Sequence, residues 1–189
     1  MKTKVFIIAG PSGVGESTIT NAIIKKFPNF ARLVTATTRP PRLNEKNGIS
    51  YYFFSKDKFK EKINTGDIVE HTYFPNRDVY YGTYKPDLED KLRKGLNIIV
   101  NLDIIGAKYF KNNYKAVTIF IKPESLEDLQ KRLVARDPKI STEELHKRLQ
   151  NAESEIKNEE KFYDYSVINK DGKLDEAVKK VVAIIKKNL

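Results

Sequence analysis

A glycine-rich loop between a short apolar run and a helical pattern limits the folds that are open to this chain. Gly10-Pro11-Ser12-Gly13-Val14-Gly15-Glu16-Ser17 has the spacing of G-x-x-x-x-G-K-[ST], with glutamate at the lysine position, and Thr18 follows. The preceding run, Val5 to Ala9, is continuously apolar, which is typical of a strand buried on both faces of a parallel sheet. Ser17 to Phe27 then carries apolar residues at helical spacing. Strand, glycine loop and helix in this order predict a phosphate-binding loop.

The glutamate in this loop brings a negative charge to a place where the other loop residues are suited to bind phosphate. Glycines let backbone N–H groups close around phosphate oxygens, and the helix directs its positive end at the anion. Ser17 places a hydroxyl where Mg²⁺ can bind. Replacing the lysine by Glu16 changes the local charge by two units. Because one unit charge at 4 Å is worth roughly 4 kcal/mol at an effective dielectric of about 20, we expect a loss of about a hundredfold or more in rate or affinity.

Three interpretations of Glu16 are open from the sequence. It is an introduced, inactivating substitution, a natural variant in which another cation compensates, or the mark of a natural pseudoenzyme. Glu16→Lys is expected to change fold stability little, because residue 16 is expected at an exposed junction between loop and helix, where substitutions shift stability by under about 0.5 kcal/mol.

The remaining pattern predicts an α/β protein with a parallel sheet. Further apolar runs of strand length lie at 97–102, 116–121 and 165–168, and helical patterns lie at 88–94, 125–136, 142–157 and 174–187. Aromatic and turn residues over 34–84 predict a small, mostly β insertion. The charged helical region within 125–160 predicts a mobile lid. The core is then formed by residues 1–33, 85–124 and 161–189.

Composition excludes several classes of site. The chain has 189 residues, with 35 Lys and Arg against 25 Asp and Glu, so its net charge of +10 favours an anionic partner or a solvated lysine-rich surface. No run of five basic residues indicates nucleic-acid binding, and no apolar stretch reaches the roughly 18 residues of a membrane helix. There is no cysteine, and His71 and His146 lie far apart, so a zinc site is not expected. We expect a cytoplasmic protein without a membrane or nucleic-acid partner.

A second motif provides a site for a phosphate monoester. Thr35-Ala36-Thr37-Thr38-Arg39-Pro40-Pro41-Arg42 carries two guanidinium groups on a stiff turn, which matches such a phosphate, although a solvated basic turn has the same composition. The order G-P-S-G-V-G-x-S-T, T-x-T-T-R-P-P-R and N-G-x-x-Y-Y-F resembles the guanylate kinase family, which phosphorylates GMP from ATP. Further stretches at 67–70, 80–83, 101–107, 119–123 and 132–136 follow in the family's order.

The resemblance implies a P-loop nucleoside monophosphate kinase fold, with ATP as co-substrate, Mg²⁺, and a GMP-binding insertion. The residues that it places at GMP are Thr35, Arg39, Arg42, Tyr51, Glu70, Tyr81, Gly82, Thr83 and Asp103. The residues that it places at ATP are Gly10, Pro11, Ser12, Gly13, Val14, Gly15, Glu16, Ser17, Thr18 and Asn169, with Ser17 reaching Mg²⁺ through the phosphates. The residues to which it gives catalytic roles are Arg39, Arg136, Arg148 and Glu16 at the lysine position.

The sequence departs from the family's pattern at two positions, and two other functions compete with the one that the resemblance implies. Asn101 stands where the family usually has a carboxylate, which weakens the expected metal site. Together with Glu16, it leaves open a catalytically dead guanylate-kinase-like module that binds nucleotide or protein. A small P-loop kinase for a phosphorylated sugar is disfavoured by Glu70 and Thr83 together. A monomer and a homodimer are both compatible with the sequence.

Overall fold

Strands and helices alternate along residues 3–189, the part of the chain that this computed structural model describes. The strands are β1 (Val5–Ala9), β2 (Phe30–Arg32), β3 (Ala36–Thr37), β4 (Tyr52–Phe53), β5 (Ile68–Phe74), β6 (Val79–Tyr84), β7 (Asn97–Asn101), β8 (Val117–Lys122) and β9 (Tyr165–Ile168). The α-helices are α1 (Glu16–Lys26), α2 (Lys56–Asn64), α3 (Lys85–Arg93), α4 (Ile104–Tyr114), α5 (Leu126–Arg136), α6 (Thr142–Glu159) and α7 (Leu174–Asn188).

The core of the molecule is a five-stranded sheet in the order β2-β7-β1-β8-β9. Every neighbouring pair in it is parallel, which confirms the predicted α/β fold with a parallel sheet. The carboxyl ends of parallel strands meet at one edge, where α/β proteins place their ligands. The loops that follow β1 and β7 therefore open at the same edge.

Both faces of the central strand are covered, which explains why β1 is apolar throughout. Phe6 and Ile8 are fully buried on one face, in a cluster with residues of α1 and α7. Val5 and Ile7 are buried on the other face, in a cluster with residues of α3 and α4. A strand without a solvent face needs no polar alternation, so its sequence signature is a continuous apolar run.

The insertion contains a second sheet in the order β4-β3-β6-β5, and also a helix that the sequence analysis did not predict. This helix, α2, is mostly charged and buries Phe59, while Ser55 caps its first turn by accepting a hydrogen bond from the Lys58 N–H at 3.2 Å. A single buried anchor produces almost no apolar periodicity. The expectation of a mostly β segment is therefore too simple, and α4 and β2 were not predicted either.

The predicted lid region consists of α5 and α6. The two helices pack on each other through a small apolar cluster centred on Leu129, Leu133 and Ala152. Only a narrow stripe of each helix is apolar, so their remaining surfaces carry charge. Within residues 3–189, no helix combines the length and the apolar character that crossing a membrane requires.

Candidate active site

The glycine loop follows β1 directly and closes at the ligand-binding edge of the sheet. A Cβ on Gly10 would lie 2.1 Å from the carbonyl oxygen of Ile121 on β8, so no other residue fits there. Gly15 has φ of 101° and is the N-cap of α1, with the exposed Ser17 and Thr18 following in the first turn. The predicted loop residues are thus together, and the N–H groups at the start of α1 are directed into the cleft.

Two side chains from distant segments donate hydrogen bonds to the backbone of the glycine loop. Asn169, which follows β9, is buried and donates from Nδ2 to the carbonyl of Val14 at 2.8 Å. Arg132 on α5 donates to the same carbonyl at 3.4 Å and to the carbonyl of Asn169 at 2.9 Å. Arg132 thus connects the glycine loop to the segment after β9, where its Nε also lies 3.5 Å from Oδ1 of Asp171. Asn169 retains a buried Oδ1 without a partner among the described residues.

Glu16 does not lie at an exposed junction, so that expectation is wrong. It is the first residue of α1 and is half-buried. Burial and then the carboxylate of Glu155 on α6 raise its pKa well above the usual range. Burial, followed by Glu159 and Asp103, in turn raises the pKa of Glu155 to about 7. The place where a lysine would meet the triphosphate is thus lined by carboxyl groups.

Asp103 and Asn101 lie at the carboxyl end of β7, beside the loop. Asp103 is the N-cap of α4, and its Oδ1 accepts hydrogen bonds from the N–H groups of Ile105 and Gly106, each at 3.0 Å. Its Oδ2 accepts from the hydroxyl of Thr72 on β5 at 2.6 Å, which links the core to the insertion. Asn101 has a buried Oδ1 that lacks a partner among residues 3–189.

Glu70 and Thr83 form a buried polar pair between β5 and β6. The Thr83 hydroxyl donates to Oε1 of Glu70 at 2.5 Å, and both residues are buried. Burial raises the pKa of Glu70 to about 7; the hydrogen bond from Thr83 opposes this rise and Asp103 adds to it. Gly82 lies on β6 against β5, where a Cβ would be 2.6 Å from the Glu70 carbonyl oxygen. Thr35, half-buried, precedes β3.

Arg39, Tyr51 and Tyr81 are brought together at the other end of the insertion sheet. The Nε of Arg39 donates to the Tyr81 hydroxyl at 3.2 Å, and its guanidinium carbon lies 5.4 Å from the centre of the Tyr51 ring. The two tyrosine rings meet edge to face at 5.8 Å. Arg42 is exposed on the adjoining turn.

Glu45 belongs to the same group, and the sequence analysis missed it. Its two carboxylate oxygens accept from Nη1 and Nη2 of Arg39 at 2.7 and 2.8 Å, and one also accepts from the Arg42 N–H at 2.8 Å. The hydrogen bond from Arg39 lowers the pKa of Glu45 to about 2. The available signal was a carboxylate three residues after Arg42 in a short turn.

The arginines of the predicted lid, Arg136 and Arg148, lie near arginines of the insertion. Burial, and then the guanidinium groups of Arg148, Arg42 and Arg77, lower the pKa of Arg136. Arg148 donates from Nε to Glu144 at 2.8 Å. The predicted catalytic pair, Arg136 and Arg148, is therefore assembled, and Arg77 is an unpredicted member of the group.

Comparison with known proteins identifies the family of this chain. Residues 2–188 match the family model described as guanylate kinase. The guanylate kinase of Protochlamydia amoebophila (strain UWE25) is 38% identical over 184 residues, which cover 97% of this chain and 90% of that protein. The guanylate kinase of Clostridium tetani (strain Massachusetts / E88) is 39% identical over 185 residues, or 97% and 86% of the two chains.

A solved structure agrees with these relatives. The crystal structure of guanylate kinase from Anaplasma phagocytophilum superposes with a TM-score of 0.76 at 28% identity, covering 99% of this chain and 87% of that one. The fold is accordingly that of the P-loop nucleoside monophosphate kinases, as the sequence predicted. The catalytically dead module is not favoured, because the named relatives are kinases. Since the family model and these relatives span nearly the whole sequence, the chain belongs to the guanylate kinase family.

Proposed function

We propose that this chain transfers the γ-phosphoryl group of ATP to GMP in the cleft between the glycine loop, the insertion and the lid. The observation that carries the proposal is the pairing of two recognition groups on one small sheet. The buried Glu70–Thr83 pair suits a base with adjacent N–H donors, and the Arg39–Tyr81 pair suits a phosphate. A phosphorylated sugar offers hydroxyl groups and lacks two adjacent N–H donors, so it matches the first pair less well.

Glu70 is the residue we assign to guanine. Guanine presents N1–H and N2–H₂ side by side, and an ionised carboxylate accepts from both. Adenine lacks that pair of donors and would leave the buried carboxylate unmatched. Thr83 orients Glu70 through its hydroxyl, and we place Thr35, Gly82 and Asp103 beside the base and ribose.

The phosphate of GMP is assigned to the opposite end of the insertion sheet. Arg39 offers a planar guanidinium group beside the hydroxyl of Tyr81 and the ring of Tyr51, with Arg42 on the adjoining turn. Glu45 occupies the two terminal nitrogens of Arg39 with the same two-oxygen geometry that a phosphate uses. Binding of GMP therefore exchanges at least part of this ion pair for phosphate oxygens.

We assign the triphosphate of ATP to residues 10–18, with Asn169 holding the loop and facing the adenine side. Mg²⁺ fits the residues at this edge, because the exposed hydroxyl of Ser17 and the unpartnered Oδ1 of Asn101 are oxygen donors near the loop. Within residues 3–189, no three His, Cys, Asp or Glu side chains are arranged to bind a metal ion. The ion would thus be held mainly by phosphate oxygens, where it would neutralise their charge.

Catalysis by this arrangement consists of positioning and charge stabilisation. The core would comprise residues 1–33, 85–124 and 161–189, the GMP-binding insertion 34–84, and the lid 125–160. Closure brings Arg136 and Arg148 over the transferring phosphoryl group, where they stabilise charge on its oxygens and help to exclude water. No covalent intermediate with the protein is required.

Selectivity for the base tests the assignment of Glu70. Calorimetry is expected to show tighter binding of GMP than of AMP. Glu70→Gln is expected to reduce this preference about tenfold or more, because one carboxylate oxygen becomes an NH₂ group that faces an N–H donor of guanine. Glu89→Gln, on the exposed side of α3, is the matched control and should leave the preference unchanged. Equal affinities for GMP and AMP in the unaltered protein would contradict the guanine assignment.

The affinity for the base should also depend on pH. Burial raises the pKa of Glu70 to about 7. Its ionised fraction then rises from about one tenth at pH 6 to about nine tenths at pH 8, so binding should tighten about tenfold over this range. Because the phosphate of GMP itself titrates near pH 6, guanosine is titrated in parallel. Glu70→Gln should flatten the guanosine profile, and a flat profile before substitution would exclude ionised Glu70 as the base contact.

A further inference from the structure

Glu144, in the first turn of α6, contacts arginines from two separate parts of the cleft. Its Oε1 accepts from Nε of Arg148, one turn along the same helix, at 2.8 Å. The same oxygen accepts from Nη2 of Arg77 at 3.4 Å. Arg77 ends a short 3-10 helix, Pro75–Arg77, between β5 and β6 in the insertion. One carboxylate oxygen thus connects the lid to the insertion.

The contact determines how Arg148 presents its guanidinium group. Nε is the nitrogen of Arg148 that donates within the described part of the chain, so the two terminal amino groups remain for phosphate oxygens. The Arg148 side chain is 19% exposed and that of Glu144 is 40% exposed. The carboxylate of Glu144 therefore fixes the plane of the Arg148 guanidinium group, and Glu144 is the more exposed of the two side chains.

Arg77 also contributes to the charge of the cleft. Its guanidinium group acts on Arg136 together with those of Arg148 and Arg42. Four guanidinium groups that converge without substrate repel one another unless a carboxylate lies among them. Glu144 contacts two of the four, one from each side of the cleft.

We propose that Glu144 and Arg77 are positioning residues for phosphoryl transfer, which hold the terminal amino groups of Arg148 in place and make the insertion and the lid close as one unit. When the insertion moves around GMP, Arg77 moves with it. The contact of Arg77 with Glu144 then positions Arg148 on the ATP side. This inference rests on the proposed function, in which Arg148 contacts the transferring phosphoryl group.

A distance measurement tests the connection without requiring turnover. The chain has no cysteine, so Lys60→Cys on α2 and Asn151→Cys on α6, both exposed, provide two positions for spin labels. Pulsed electron paramagnetic resonance with GMP bound should give a longer and broader distance distribution in Arg77→Ala and in Glu144→Gln than in the labelled parent. Arg77→Lys should restore the parent distribution, since it retains the charge.

Glu143→Gln is the matched control for the loss of a carboxylate. Glu143 accepts from Lys147 at 2.6 Å with the same spacing along α6 that separates Glu144 from Arg148, and its side chain is 78% exposed. This variant should leave the distance distribution unchanged. Distributions of Arg77→Ala and Glu144→Gln that match Glu143→Gln would overturn the proposed connection.

Kinetics then test the catalytic part of the inference. In an ADP-release assay, Arg77→Ala is expected to lower kcat about threefold to fivefold, the range for a partly exposed ion pair, while KM for ATP changes less. Glu144→Gln should cost about tenfold, because the Nε of Arg148 also loses its charged partner and keeps only a neutral amide oxygen as acceptor. The double variant should be no slower than Glu144→Gln alone, since both changes break one chain of contacts.

Two results separate this inference from the placement of Arg148. If Arg148→Ala leaves kcat unchanged, the proposed role of Arg148 fails, and the positioning role fails with it. If Arg148→Ala is slow but Arg77→Ala and Glu144→Gln retain the rate of Glu143→Gln, the role of Arg148 stands and the positioning role is wrong.

Discussion

Glu16→Lys is expected to raise kcat/KM for ATP by about a hundredfold or more. The structure strengthens the physical reason, because Glu16 faces Glu155 in a half-buried part of the cleft. A bound triphosphate would meet these carboxyl groups, whereas a lysine would pair with Glu155 and with the phosphates. The two influences that raise the pKa of Glu16 are burial and Glu155, and neither is a compensating cation. A coupled ADP-release assay with GMP saturating and ATP varied measures the effect.

Two further variants separate the possible causes. Glu16→Gln removes the negative charge without supplying a positive one and should recover only part of the rate. Glu153→Lys makes the same charge change at an exposed position of α6 and should leave kcat/KM unchanged. If Glu16→Lys and the parent turn over equally fast, another cation has replaced the lysine, with Arg136 and Arg148 the first candidates. If neither turns over, the defect lies elsewhere, and Asn101 is the first residue to restore to a carboxylate.

Stability provides a second readout for Glu16→Lys. A carboxyl group whose folded pKa is raised binds more protons in the folded state than in the unfolded state, so stability falls as pH rises above the unfolded pKa. The raised pKa of Glu16 thus costs stability at neutral and higher pH. We expect the Tm advantage of Glu16→Lys to grow between pH 5 and pH 8. A constant difference over this range would show that Glu16 is not desolvated beside Glu155.

Arg39→Ala is expected to weaken GMP binding about a hundredfold or more while leaving guanosine binding nearly unchanged. The substitution removes two charge-assisted hydrogen bonds, each worth about 1.5–3 kcal/mol, to the phosphate. It also leaves Glu45 without the guanidinium group that it now contacts through both oxygens. The phosphate site would then carry an unpaired negative charge. Calorimetric titrations of GMP and guanosine in parallel measure the difference.

Two further variants serve as controls for Arg39→Ala, one at an arginine outside the cleft and one at Glu45, the ion-pair partner of Arg39. Arg93→Ala, at a side chain that is 77% exposed on α3, removes one positive charge outside the cleft and should change GMP affinity little. Adding Glu45→Gln to Arg39→Ala should recover part of the lost affinity, because it removes the unpaired carboxylate. An equal loss of affinity for guanosine and GMP would mean that Arg39 supports the whole insertion and does not contact the phosphate.

Much of the fold could be predicted because its strands have a local signature. A strand covered on both faces is largely apolar, and the run at 97–102 corresponds to β7 within one residue, as Val5–Ala9 corresponds to β1. Elements that bury little lack such a signature. The helix α2 buries only Phe59, and β2 has three residues, so neither produces a pattern long enough to detect.

The phosphate loop, the parallel core and the family could be predicted from the sequence, because each depends on residues that are neighbours in the chain. The environment of Glu16 and the ion pair of Arg39 with Glu45 became visible in the folded molecule. So did the contact between Arg77 and Glu144, which lie 67 residues apart. Burial and charge interactions depend on which segments the fold brings within a few ångströms of each other. Spacing along the chain cannot show that a glutamate at the lysine position faces a second glutamate from the lid.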